Sequence, residues 1–142
     1  MVREIEFRGK SKRDGKWVYG YLVARGDKSY IISEIEVSGN FRDGIELYAI
    51  EWYEVIPETV GQFIRLYDKN NKGIYEGDIL IDKQGNVGYT LFLQQELGYV
   101  VVYKSLDIRL GHRSRGSAYK HDMLIEVIGN IHDNKELLEG TK

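Results

Sequence analysis

Alternation of apolar and charged residues, set up in the first ten positions and renewed after each glycine turn, most narrows what this chain can fold into. Ile5 and Phe7 point one way while Glu4, Glu6 and Arg8 point the other, and after Arg13-Asp14-Gly15-Lys16 the residues Trp17, Tyr19, Tyr21 and Val23 line one face. A repeat of two is the period of an extended strand, and two such runs joined by a glycine turn form a β-hairpin. A second turn, Arg25-Gly26-Asp27-Lys28, leads into Ser29 to Val37. The polar stretch Ser38 to Gly44 is expected to be a loop, and Ile45 to Ile56 to be a long strand with Tyr48, Ile50 and Trp52 on one face. The last pattern also fits a short helix; we read it as strand.

Pro57 is the only proline. Its fixed φ suits a first helical position and holds Ile56 extended, so a strand should end there and a single turn run from Pro57 to Val60 before Gly61. Beyond it, Gln62 to Tyr67, Ile79 to Ile81, Val87 to Leu93, Tyr99 to Tyr103 and Leu124 to Ile131 read as strands. The turns Asp68 to Gly73 and Asp82 to Asn86 fall among them. Asp133 followed by Glu136 has the spacing of a capping box for a short helix carrying Leu137 and Leu138, at about 133–139. The expected fold is mainly β, with small barrel- or sandwich-like antiparallel sheets and a short C-terminal helix. Residues 1–142 make one domain by length, with an internal boundary between two lobes near 57–78.

The run Glu54-Val55-Ile56-Pro57-Glu58-Thr59-Val60-Gly61-Gln62-Phe63 continues through Tyr67-Asp68-Lys69-Asn70-Asn71-Lys72-Gly73-Ile74-Tyr75-Glu76-Gly77-Asp78-Ile79-Leu80. Together with Arg3 to Lys10, Trp17 to Leu22, Val127 to Ile131 and the Glu136-Leu137-Leu138 tail, it resembles the YopX family of small phage and prophage proteins. The resemblance implies a phage or prophage protein and brings no catalytic residue with it. Three details depart from the family pattern: Ile56 stands where an acid is expected before the proline, Ile64-Arg65 where Thr-Gly is expected, and Asn70-Asn71 where the turn would read Asn-Gly. Asparagine tolerates positive φ, so that turn survives.

Lysine plus arginine number 20 against 22 aspartates and glutamates, a formal charge of -2 that creates no whole-molecule field toward DNA or an anionic membrane. There is no cysteine, which removes disulfides and thiolate metal sites and fits a reducing compartment. Met1 to Glu6 carries charges where a signal peptide needs an apolar run, and no stretch has the ~20 apolar residues of a membrane helix. A cytoplasmic location is expected, with no membrane contact.

No nucleophile elbow, phosphate loop or dinucleotide fingerprint occurs, so acyl transfer, nucleotide hydrolysis and hydride transfer lack their parts. Glu76 and Asp78, two residues apart, have the chemistry of a divalent-metal or general-base pair, but Gly77-Asp78 before an apolar strand is also what a tight turn uses, and that reading is preferred. His112, His121 and His132 form no metal-ligand spacing. No catalytic, cofactor or metal residue is expected, and no cofactor.

Two basic clusters remain. Arg8, Lys10, Lys12, Arg13 and Lys16 surround the first turn; Arg109, His112, Arg113, Arg115 and Lys120 form a second with Tyr119 among them and no acid between Arg109 and Lys120. The second could contact a phosphate backbone, and the plainer account of both is solvated turn surface. The eleven tyrosines, with Trp17 and Trp52, supply core or association faces, and a small β protein must also hide its strand edges. The expected function is therefore a non-enzymatic protein-interaction or assembly module, a homo-oligomer or the partner of a host or phage protein. The alternative is a nucleic-acid-binding accessory protein using the loop at 109–120.

Overall fold

The computed structural model describes residues 5–94, 97–102, 107–109 and 125–139. Its strands are β1 Phe7–Lys10, β2 Trp17–Arg25, β3 Lys28–Asn40, β4 Gly44–Val55, β5 Gly61–Tyr67, β6 Gly73–Tyr75, β7 Asp78–Ile81, β8 Val87–Leu93, β9 Gly98–Val102, β10 Asp107–Arg109 and β11 Glu126–Asn130. A 3₁₀ turn spans Pro57–Thr59, and the α-helix α1 is Glu136–Glu139. The mainly β expectation holds: all pairings are antiparallel, and among the described residues neither sheet closes into a barrel.

By its contacts the chain forms two compact units, Met1–Gln62 and Phe63–Lys142. In the first, the order is β4-β3-β2-β1, and β1 then pairs with the start of β5 through Phe7–Gln62 and Arg8–Gly61. Directly opposed residues share a face, so the registers Tyr21–Ile32–Trp52 and Leu22–Ile31–Tyr53 define the two sides of this sheet. Ile31 and Val55 on the second side are fully buried, and Gly9 lies close against Val55. The first side, with Tyr19, Tyr21, Val23 and Trp52, is exposed. Pro57 acts as its fixed φ requires: Ile56 is extended, and Val60 N–H closes the turn on the Pro57 carbonyl.

The hairpin of β3 and β4 differs most from the sequence expectation. The residues read as a seven-position polar loop form only a three-residue tip, and both strands run on through the rest. Alternation continues across Val37, Ile45 and Leu47, but Ser38, Gly39 and Asn40 hide it in the sequence because they are turn-forming residue types. Register shifts at Ser33 and Ile50 interrupt the row of Tyr48, Ile50 and Trp52.

The rest of β5 belongs to the second unit, where it pairs with β6; the main sheet there has the order β10-β9-β8-β7-β11. Ile64, Ile74, Leu80, Val101 and Ile125 make its core, with Leu66, Tyr99 and Val127 packed on them. Gly77 takes φ +92°, the left-handed conformation expected of it, between β6 and β7. The helix starts at Glu136, shorter than the predicted 133–139; Asp133 instead lies in the preceding turn and accepts a bond from Asn130 Nδ2 at 3.2 Å.

Arg65, inside β5 at a register irregularity, has φ +64°. A side chain there costs about 1–2 kcal/mol, and this is the position where the family resemblance calls for glycine. Because glycine also loses about 0.5–1 kcal/mol through the unfolded chain, Arg65→Gly is expected to raise stability by a net ~0.5 kcal/mol. Urea denaturation will check it, and a destabilised variant would mean that the arginine side chain has a role its backbone does not show.

Candidate functional site

Beyond the pairing of β2 with β3, which spans Lys28 to Ile32, the β3–β4 hairpin continues as a two-stranded ribbon. Its distal registers are Ile35–Ala49, Val37–Leu47 and Gly39–Ile45, which place an uncharged apolar row on one face. The intervening pairs Glu36–Tyr48 and Ser38–Glu46 place polar groups on the other, where the Tyr48 hydroxyl donates to Glu46. Phe41 at the tip is 96% exposed and Leu47 65%, with Ile35, Val37 and Ile45 exposed beside them. The tip itself is fixed: Asp43 N–H donates to Asn40 Oδ1 at 2.8 Å, and Asn40 Nδ2 to Asp43 at 3.1 Å. Ser33, at the first shift, donates to Glu51 at 2.5 Å. From Ser33 to Trp52 there are five acids, Glu34, Glu36, Asp43, Glu46 and Glu51, against Arg42 alone. A lone two-stranded ribbon is marginal in water, and an apolar face of this kind marks a contact surface.

The two carboxylates singled out in the sequence have different surroundings. Asp78 is 1% exposed. Its Oδ2 accepts the Tyr75 N–H at 2.8 Å, and its own N–H donates to Thr90 Oγ1 at 3.1 Å. Thr90 Oγ1 in turn donates to the Tyr75 carbonyl at 2.8 Å, and Gly77 N–H to the Thr90 carbonyl at 2.9 Å. Those bonds lock the β6–β7 turn to β8, the structural role preferred from sequence. Glu76 is half-buried near Tyr99. Burial pushes the Tyr99 phenol above its ordinary value, the Glu76 charge adds to the rise, and Arg65 opposes it. Among the described residues no group of three or more metal-ligating side chains converges.

A third carboxylate, not singled out in the sequence, accepts three backbone N–H bonds. Asp68 Oδ1 accepts the N–H groups of Asn70 and Lys72, both at 2.8 Å, and Oδ2 accepts Val127 N–H at 3.0 Å. Burial pushes its carboxyl up, but the three amides and the Lys72 charge outweigh that and hold it below the ordinary 3.8. Asp82 builds the same turn with a different third bond: Oδ1 accepts Gln84 and Asn86 N–H at 2.9 Å, and Oδ2 accepts the Asn86 side chain, Nδ2 at 3.1 Å. In each turn the fourth residue, Asn71 or Gly85, takes positive φ. The repeated signal, Asp with Asn or Gly three residues on, is visible in the sequence; the third partner from β11 is not.

Of the basic loop, Arg109 ends β10, while His112, Arg113, Arg115, Tyr119, Lys120 and His121 lie outside the described residues. His132 is exposed in the turn after β11, its N–H donating to Asn130 Oδ1 at 2.9 Å.

The sequence profile of the family described as YopX protein matches residues 6–139. The chain belongs to the YopX family. The crystal structure of protein EF1440 from Enterococcus faecalis resembles this YopX chain with a TM-score of 0.63 at 20% identity, covering 96% of this chain and 99% of that one. At that identity the likeness concerns the fold. No curated protein matches the sequence. Among the described residues, no helix is long and apolar enough to cross a membrane.

Proposed function

We propose that this YopX-family chain is a non-enzymatic assembly module of a phage or prophage, working in the cytoplasm and associating with a second copy of itself through the β3–β4 hairpin. One observation carries this reading: the distal hairpin presents Ile35, Val37, Ile45 and Leu47 on one exposed face that contains no charge. Burying such a row is worth ~25 cal/mol per Å², and the ribbon gains the cover that two strands in water lack. A second copy suits it better than a foreign partner. Two apolar faces can meet by a two-fold rotation with Glu36 and Glu46 turned outward, and repulsion between those outer faces closes the assembly at a pair. A basic partner would be drawn to the acidic face and would leave the apolar one uncovered.

Light scattering at micromolar concentration is expected to give about twice the 16.5 kDa chain mass. The double substitution Val37→Lys with Leu47→Lys should return it to the chain mass with an unchanged far-ultraviolet circular dichroism spectrum. A wild-type protein that scatters as a monomer throughout that range would remove the self-assembly reading.

A further inference from the structure

The exposed side of the first unit's sheet gathers residues that the sequence scatters over more than forty positions. Its cross-strand rows are Lys10–Trp17, Arg8–Tyr19, Tyr21–Ile32–Trp52, Val23–Tyr30–Glu54 and Arg25–Lys28. Five aromatic rings therefore share one face, and cations stand at both of its ends. Tyr21 and Trp52 are each 55% exposed, and Tyr30 meets Trp52 edge to face at 5.9 Å. Arg8, itself buried, lies 4.7 Å from the centre of the Trp17 ring and Lys10 5.7 Å from it, which holds that ring in place. Arg25 and Lys28 are exposed at the other end. Among the acids nearby are Glu54, which pairs with Lys12 at 2.9 Å, Asp27 in the β2–β3 turn, and Glu6, just before β1.

From this face we infer that the first unit binds single-stranded nucleic acid, with unpaired bases stacking on Tyr21 and Trp52 and the backbone running between the Lys10 end and the Arg25–Lys28 end. The chemistry is that of a stacking platform: every base offers a π-face, so open aromatic rings hold a strand without reading its sequence, and flanking cations neutralise phosphates. The nine residues from Trp17 to Arg25 cover eight steps, roughly 27 Å at ~3.4 Å per step, room for several bases. A duplex offers no such surface, since its bases are already stacked on one another, and the chain's charge of -2 provides no long-range attraction to compensate. The face lies on different residues from the assembly row of the hairpin, and the two proposals stand or fall separately.

Fluorescence anisotropy of the full chain with labelled oligothymidylate and oligouridylate of about 16 nucleotides, and with a duplex of equal length, tests the inference. Both single strands or one of them should bind, weakening as salt rises, and the better of the two identifies the sugar. Tyr21→Ala and Trp52→Ala should each weaken binding about 5- to 100-fold, the loss of one base stack, while Tyr21→Phe keeps it within about twofold. Arg25→Ser with Lys28→Ser should lower the slope of log affinity against log salt by about 1.4. That exposed pair carries the test if an aromatic variant fails to fold. Absence of salt-sensitive single-strand binding, equal binding of the duplex, binding indifferent to Tyr21→Ala, or capture of a proline-rich peptide in place of either strand would overturn it.

Discussion

Asp68→Ala is expected to lower folding stability by about 2–3 kcal/mol, a large loss for one turn residue. Three backbone N–H groups lose a charged acceptor at once, and each charged bond contributes about 1.5–3 kcal/mol when its donor cannot turn to water. Asn70 and Lys72 lie on exposed turn and regain water, whereas Val127 N–H belongs to a half-buried strand and regains less, which sets the total below the sum. The carboxyl also links folding to pH. Because its folded pKa lies below the ordinary value, its contribution is fully present above about pH 4 and is lost as pH falls through the folded value. Asp68→Asn should therefore be less stable than wild type at neutral pH, and the gap should narrow below about pH 4. Urea titrations of both proteins across that range will measure it. A gap that stays constant with pH would show that Asp68 titrates normally.

The second large effect is expected at Asp78. Alanine there strands the buried Tyr75 N–H and loosens the turn whose carbonyl Thr90 holds, at a cost of about 2–3 kcal/mol; asparagine keeps an acceptor oxygen and should recover most of it. Thermal melts with and without magnesium separate this from the metal reading of Glu76 and Asp78. The wild-type melting temperature should not move with the ion. A rise on adding magnesium, abolished in Asp78→Ala, would make the pair a cation site.

The contrast between Asp68 and Asp78 shows why part of the candidate chemistry was legible and part was not. Gly77-Asp78 announces a turn because positive φ and a short carboxylate are local requirements, and both were met where expected. Asp68 announces its turn in the same way, but its bond to Val127 spans fifty-nine residues and leaves no local trace. Arg65 is the reverse case: the strand pattern through Gln62 to Tyr67 is correct, yet only the structure shows that its centre takes a conformation suited to glycine.

What the sequence by itself determined is what depends on nearest neighbours. The period of two in Trp17 to Val23, the turns at Asp14-Gly15 and Gly26-Asp27, the stop at Pro57 and the family pattern are all written in residues a few positions apart, because pleat, φ and hydrogen bonds within a turn act over that distance. Tertiary structure decided which rows became surfaces. Register puts Val37 opposite Leu47 and lines Tyr21 up with Ile32 and Trp52, and the β2–β3 pairing that stops at Tyr21–Ile32 leaves the distal ribbon without a third strand. An apolar residue in an alternating strand is compatible with core and with contact surface alike; what covers it is fixed by the strand that pairs beside it, and that pairing is chosen by the whole sheet.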